Sequence, residues 1–338
     1  MGLAGKVALA IVLLMGSLAI AGALYQQIET WRDARRSPEP GRLVNAGGLR
    51  LQISCTGTGR PMVVLDSGLG GLLPEWQRVQ AGVAGFARVC SYDRAGYGDS
   101  DAGPMPRTSA QIATELHTAL QGSGEQPPYI LVGHSFGGYN VRVFAGKYPS
   151  EVAGIVLVDS PQEDQYKMLP AAWREFSEAL LQRYRKQAHT APFFIGLGIA
   201  RLMLRSQGGV GRYDYLILQS KYLKARASEL ENIQSSAEEA RSAGGIADKP
   251  LIVVTSGKTL GATFISGLNE QGAAQFERTW VQELQPRLAR LSTRGKQIVL
   301  PDADHNIPAE RPEAIIAAVR EICAGSQHAN QLIDQTRP

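Results

Sequence analysis

The stretch that decides the fold is GHSFGG, residues Gly133–Gly138, in which glycines bracket a serine in the pattern G-x-S-x-G. An apolar run of β-forming residues, 129–133, precedes it, and a helical pattern from about Phe136 to Tyr148 follows it. A serine at such a strand–turn–helix junction sits on a tight, strained turn that lifts its hydroxyl above the sheet. The glycines leave room for that turn and for the strand and helix to cross closely. We therefore predict that Ser135 is a nucleophile.

Short apolar runs alternate with helical patterns along much of the chain, which predicts an α/β fold with a mostly parallel sheet covered by helices on both faces. Between 161 and 248 the pattern is mostly helical, with separate helices around 173–187, 193–204 and 213–241 and no clear strand. Because sheet strands resume after this block, we interpret it as a helical cap inserted into one domain. Strands are predicted at 49–54, 61–65, 88–92, 129–133, 154–158, 250–255 and 297–300, and further helices at 108–121 and 312–323.

A serine nucleophile needs a base, and the chain has five histidines from which to choose. His305 lies in the loop after the strand at 297–300, and catalytic groups of α/β proteins gather at the carboxyl ends of strands. His134 adjoins the nucleophile, so its side chain should point away from the serine hydroxyl. The other three fall on a helix, in the cap and in the polar tail, at His117, His189 and His328. By elimination we predict that His305 is the base.

The third member of such a triad is an acid between serine and histidine in the chain, which orients the imidazole. The turn after the strand at 250–255 reads SGKT, residues 256–259, and has no carboxylate. The turn after the preceding strand supplies Asp159, which we predict to be the acid. Glu163 and Asp164, just beyond it, are further candidates, and a turn-capping aspartate is the alternative interpretation of Asp159.

Two backbone amides are predicted to form an oxyanion hole. The first is that of Phe136, directly after the nucleophile, at the start of the predicted helix. The second is that of Leu69, which lies between Gly68 and Gly70 in the glycine-rich loop 66–71. An ordinary glycine-rich turn explains the same loop.

With these motifs the chain resembles the α/β-hydrolase superfamily, most closely its capped branch of esterases, C–C hydrolases, haloalkane dehalogenases and epoxide hydrolases. The further stretches that carry the resemblance are YDRAGYGDS at 92–100, VLVD at 156–159 and DHNIP at 304–308, and the similarity covers about residues 43–323. The resemblance implies an eight-stranded sheet, and some members place the acid one strand early, as Asp159 would be. Dehalogenases and epoxide hydrolases use an aspartate nucleophile, so Ser135 argues against both activities.

The resulting hypothesis is a serine hydrolase that cleaves an ester or related acyl bond through an acyl-enzyme intermediate. The expected substrate is a small molecule with an apolar acyl group, and the chemistry requires no cofactor and no metal. A peptidase or an acyltransferase would use the same residues with another substrate or acceptor. A non-catalytic binding module on the same fold is the alternative of a different class.

The N-terminus differs from a globular sequence, since residues 7–24 contain no charge and no proline. About 20 such residues span a bilayer as a helix. We predict a transmembrane anchor or signal peptide over 1–24, a linker over 25–42, the α/β domain over 43–323 and a polar tail over 324–338. The small residues 21–23 fit a signal cleavage site, whereas the length of the apolar run favours an anchor. The protein is accordingly expected to be membrane-anchored by this helix, or exported if the segment is cleaved.

The numbers of charged residues and cysteines limit the kinds of partner that we expect the chain to bind. With 35 basic and 31 acidic side chains and no basic run, a nucleic-acid surface is not indicated. Three widely spaced cysteines form neither a disulfide framework nor a metal-binding pattern, and the residues alone favour buried thiols. The superfamily's strand order would make the strands of Cys55 and Cys90 neighbours, so a bridge between them stays open.

Overall fold

The computed structural model describes residues 2–36, 40–208, 212–258 and 268–335. Its centre is an eight-stranded sheet. The strands are β1 Arg42–Asn45, β2 Arg50–Thr56, β3 Met62–Asp66, β4 Val89–Tyr92, β5 Tyr129–His134, β6 Val152–Val158, β7 Leu251–Ser256 and β8 Gly295–Leu300. Their order in the sheet is β1-β2-β4-β3-β5-β6-β7-β8. The first two pairings, β1 with β2 and β2 with β4, are antiparallel, and all the others are parallel.

Helices cover both faces of this sheet, as the alternating pattern predicts. Neighbouring residues of one strand point to opposite faces: Val64 packs into the apolar cluster of one face, and Val63 into that of the other. The helices outside the cap are α1 Leu3–Arg36, α2 Gln77–Ala84, α3 Ser109–Ser123, α4 Gly137–Lys147, α11 Glu270–Arg278, α12 Gln285–Ala289, α13 Ile307–Glu310 and α14 Pro312–Gln335, with a π-helical turn at Thr279–Leu284 between α11 and α12.

The predicted fold class is thus confirmed, and each predicted strand is present within about two residues. The strand β1 was not predicted from the sequence, because this four-residue edge strand buries only one side chain and so carries no apolar run. Edge strands are commonly kept short in this way.

The cap consists of α5 Gln165–Met168, α6 Ala171–Gly196, α7 Ile199–Ser206, α8 Arg212–Ile217, α9 Ser220–Glu231 and α10 Ile233–Ser242. Two details of the prediction are wrong here. The helix expected over 213–241 is three helices, and Asn232, whose side chain donates to the Ser228 carbonyl, separates the last two. The helix expected to start at 193 instead continues α6 through Pro192, and the break follows at Gly198, which has a φ of 70°.

Helix α1 also extends beyond its apolar run. It continues to Arg36, through residues assigned to the linker from the sequence, because no glycine or proline interrupts the helix-forming residues 25–36. Helix α14 likewise continues through the predicted polar tail to Gln335. Residues 37–39 of the predicted linker, 336–338 of the predicted tail and Met1 lie outside the described residues.

The sheet decides whether Cys55 and Cys90 are free thiols or form a bridge. Strands β2 and β4 pair so that Cys55 lies opposite Cys90, and the two are joined in a disulfide. Cys323 on α14 is free and buried. The expectation of buried thiols therefore holds for Cys323 alone.

Candidate active site

Ser135 occupies the turn between β5 and α4 with a φ of 48°, a left-handed conformation that costs a serine energy. Its amide donates to the Val158 carbonyl at 2.9 Å, which fixes the turn to the neighbouring strand. Only glycine fits on either side. A Cβ at Gly133 would lie 2.5 Å from the Gly137 oxygen, and one at Gly137 would lie 2.4 Å from the Asp66 oxygen. The G-x-S-x-G pattern is therefore a steric requirement of this turn.

Asp159 follows β6 and is 2% exposed. The Nδ1–H of His305 donates to its Oδ2 at 2.7 Å. Its Oδ1 accepts from the Ser256 amide at 3.0 Å and from Trp280 Nε1 at 2.8 Å. The carboxylate is therefore held by three donors and directed at the imidazole of His305.

His305 lies in the loop after β8, where its backbone is fixed on both sides. Its amide donates to Asp304 Oδ1 at 2.6 Å, and its carbonyl accepts from His134 Nε2 at 2.9 Å. Burial and the nearby His305 lower the pKa of His134 to about 3, so this second histidine is neutral near pH 7. His134 therefore supports the backbone of the loop that carries His305.

The five residues predicted to form the site meet at one cavity of about 110 Å³, under the cap: Leu69, Ser135, Phe136, Asp159 and His305. Among the residues that the structure describes, no hydrogen bond joins the Ser135 hydroxyl to the His305 ring. Nucleophile–base contacts are often long until a substrate binds. The amides of Leu69 and Phe136 likewise donate to no group in the described part of the chain.

The other acids near Asp159 have different partners. Glu163 pairs with the buried Arg142, and Asp164 pairs with Arg241 and Arg287. Neither carboxylate contacts His305, whereas that of Asp159 does.

The loop that carries Leu69 is held by Arg94, a residue of the YDRAGYGDS motif for which the sequence indicated no role. Its guanidinium donates to the Ser67 carbonyl at 2.6 Å and to the Gly68 carbonyl at 2.7 Å. The same group forms ion pairs with Asp66 and with Glu229 of α9, and all three side chains are at most 2% exposed. Arg94 thus connects to the cap the glycine-rich loop 66–71, which we call the oxyanion loop because the Leu69 amide is predicted to be an oxyanion-hole donor.

Trp280 is the second residue that sequence reasoning missed, since its indole donates to Asp159 across 121 positions of chain. Nothing in the local sequence of the α11–α12 region signals that contact.

The remaining wall of the cavity is largely apolar and comes mostly from the cap. The apolar and aromatic side chains that line it are Leu69, Phe136, Pro161, Tyr166, Trp173, Phe176, Leu180, Leu230, Ile233 and Trp280. In the described part of the chain, the group with spacing suited to a metal ion is Cys55, Cys90 and Glu125, and its two sulfurs are already joined to each other.

Comparisons with known proteins agree with this fold. A family profile described as "alpha/beta hydrolase fold" matches residues 61–194. An AB hydrolase superfamily protein of Gibberella zeae is 26% identical over 282 residues, which are 78% of this chain and 86% of the relative. A solved esterase of Thermogutta terrifontis superposes with a TM-score of 0.60 at 22% identity, over 85% of this chain and 99% of the esterase. A solved enol-lactonase of Burkholderia xenovorans superposes with a TM-score of 0.56 at 19% identity, over 84% of this chain and all of the lactonase.

Proposed function

We propose that this member of the α/β-hydrolase superfamily is a serine hydrolase that cleaves an ester or related acyl bond. The observation that carries the proposal is the Asp159–His305 hydrogen bond of 2.7 Å beside the strained Ser135, all three lining one cavity. A structural aspartate capping a turn would have no reason to face a histidine at the nucleophile's cavity.

In the proposed reaction Ser135 Oγ attacks the acyl carbon and its proton passes to His305 Nε2. The negative charge that develops on the acyl oxygen is stabilised by the amides of Phe136 and Leu69. Asp159 keeps Nδ1 protonated and stabilises the imidazolium. The bond to the leaving group then breaks as His305 donates the proton to it. A water molecule, deprotonated by His305, cleaves the acyl-enzyme and regenerates the Ser135 hydroxyl.

The size of the cavity indicates the acyl group. Drug-sized ligands occupy pockets of roughly 300–1,000 Å³, whereas this cavity has a volume of about 110 Å³. Its walls are largely apolar around the proposed catalytic groups, and Phe176 and Leu180 of α6 line it on the cap side. We therefore propose a small-molecule substrate with a short, apolar acyl group.

The proposed location is outside the cytoplasm, with α1 as a single membrane anchor. Helix α1 is long and apolar enough to cross a membrane, and the bridge between Cys55 and Cys90 supports an oxidising compartment. Cleavage of the apolar segment would instead release the domain into the same compartment.

The proposal is tested by hydrolysis of esters with graded acyl-chain length. Wild-type protein should prefer the shorter chains, and Ser135→Ala should lose at least about 10⁴-fold in kcat. Ser177→Ala is the matched control, because Ser177 lines the same cavity but its hydroxyl donates to the Trp173 carbonyl. Unchanged turnover in Ser135→Ala would show that Ser135 is not the nucleophile.

A further inference from the structure

An exposed apolar surface lies at the junction of α6 and α7, on the cap. We name it the cap apex and define it by its five large side chains. Their exposed fractions are 66% for Phe193, 47% for Phe194, 37% for Ile199, 55% for Leu202 and 59% for Met203. Contiguous exposed apolar side chains of this kind mark an interaction surface.

On the basis of the proposed membrane anchor, we propose that the cap apex inserts into the headgroup–acyl boundary of the bilayer that α1 spans. Helix α7 has the pattern required for such a position. Ile199, Leu202 and Met203 are exposed, whereas Arg201 between them is only 2% exposed and turned toward α1. An interfacial helix buries one apolar face shallowly in the lipid and directs its polar groups elsewhere.

The depth of the apex follows from its contact with α1. A Cβ at Gly22 would lie 2.3 Å from the Leu197 oxygen, and one at Gly198 would lie 2.9 Å from the Gly22 oxygen. These backbones therefore touch. Gly22 is two residues before the end of the apolar run at Leu24, a rise of about 3 Å along the helix. The cap thus meets α1 at the level where the span leaves the hydrocarbon.

A polar clamp immediately beyond that level fixes the orientation of the apex. Arg201 contacts Gln26 at 3.0 Å, Thr30 at 3.5 Å and the carboxylate of Asp33. Arg205 bonds the Tyr25 hydroxyl at 2.6 Å and pairs with Glu29, which is 4% exposed. Because Arg201 and Arg205 both contact the polar half of α1, residues 25–36, the exposed apolar side chains of α7 lie on its other face.

The cap apex adjoins the exposed apolar surface of α1, which favours the bilayer as the partner that covers it. The apolar run of α1 is itself unburied by the rest of the chain, with Leu18 60% and Ile20 65% exposed. The cap apex adjoins this apolar surface where Leu197 and Gly198 contact Gly22 of α1. Lipid that surrounds α1 would therefore reach the apex without any further partner.

The test measures the depth of fluorescent labels in the full chain reconstituted in phosphatidylcholine vesicles. Leu202→Cys and Phe193→Cys place an environment-sensitive label on each helix of the apex. Ala317→Cys is the matched control, because Ala317 is exposed on α14, which packs on the sheet rather than on the cap. Burial raises the pKa of the native Cys323 thiol to about 11, so it stays protonated and labels slowly near pH 7.

Both apex labels should show blue-shifted emission, strong quenching by brominated lipid and at least about threefold weaker quenching by aqueous iodide than the control. Apex labels as open to iodide as the control would overturn the proposal. Labels shielded from iodide but insensitive to brominated lipid would also overturn it, because a second copy of the chain or another protein would then cover the apex. None of these readouts depends on catalysis.

Discussion

At the scale of single residues, the neighbouring strands explain why Asp159, the proposed acid, lies after β6. Strands β6 and β7 are adjacent and parallel, so the turns after both reach the same edge of the sheet. The turn after β7 has no carboxylate, and it contributes the Ser256 amide to Asp159 instead. We therefore propose that Asp159 is the acid, placed after β6 rather than after β7, with three donors on its carboxylate.

The first prediction concerns Trp280. Trp280→Phe keeps an aromatic ring beside Phe276 but removes the donor to Asp159 Oδ1. A hydrogen bond to a charged group contributes about 1.5–3 kcal/mol to stability, so we expect the melting temperature to fall by a few degrees. Because the carboxylate also loses a donor that positions it, kcat should fall by about tenfold or more with little change in KM. Trp173→Phe is the control, because the Trp173 indole nitrogen has no partner in the described residues. Equal kinetics for the two variants would contradict a role for Trp280 in positioning the acid.

The second prediction concerns His134 and pH. Its folded pKa of about 3 lies below the unfolded value of 6.5. Between these values only the unfolded state carries the proton, so acidification destabilises the protein by up to about 1.4 kcal/mol per pH unit from this group. His134→Gln, which can still donate to the His305 carbonyl, should lose less stability than wild type between pH 6.5 and pH 4. Stability is followed as the melting temperature at each pH. If the melting temperatures of the two proteins fell equally between pH 6.5 and pH 4, His134 would not be buried and neutral.

At the scale of elements, prediction from the sequence succeeds where the signal is local. The apolar runs predicted seven strands, and the glycine pattern predicted the tight turn at Ser135. The structure brings His305, which was selected by elimination, against Asp159. The roles of Arg94 and Trp280 were not predictable, because each depends on a partner more than a hundred residues away, as with the 135 positions between Arg94 and Glu229. The breaks in the cap were missed for a related reason, since tertiary packing and single residues such as Gly198 set them rather than periodicity.

The third prediction belongs to the contact between the cap and the oxyanion loop. Glu229→Gln leaves the buried Arg94 with one of its two acidic partners, and breaking a buried pair costs about 3–5 kcal/mol. We expect a clear loss of unfolding free energy together with a lower kcat, because Arg94 also holds the Ser67 and Gly68 carbonyls.

The control for this change lies two residues further along α9. Glu231→Gln removes an exposed pair with Arg185, and exposed pairs contribute only about 0–1 kcal/mol. If urea denaturation and kcat measurements found the two variants alike, the Arg94 cluster would not couple the cap to the site.

At the scale of the whole molecule, the chain combines an apolar N-terminal helix with a domain that contains a cross-strand disulfide. The polar half of α1, residues 25–36, packs on the cap through Arg201 and Arg205, so the helix is part of the same folded unit. The sequence suggested a linker there, since the partners of these polar residues lie about 170 positions away.

The fourth prediction concerns the disulfide. Unfolded, unreduced protein should take up alkylating reagent at Cys323 alone, and reduced protein at all three cysteines. A bridge between cysteines 35 positions apart constrains the unfolded chain, so reduction should lower the free energy of unfolding by about 4 kcal/mol. Alkylation of Cys55 and Cys90 without reductant would remove the support for an oxidising compartment.

The central claim is that Ser135 is a nucleophile activated by His305 and Asp159, and the most direct measurement is mass spectrometry of the protein after treatment with a fluorophosphonate. The account predicts one covalent adduct, mapped to the peptide that contains Ser135, absent in Ser135→Ala and formed orders of magnitude more slowly in Asp159→Asn. A wild-type protein that stays unmodified, or an adduct on another residue, would contradict it.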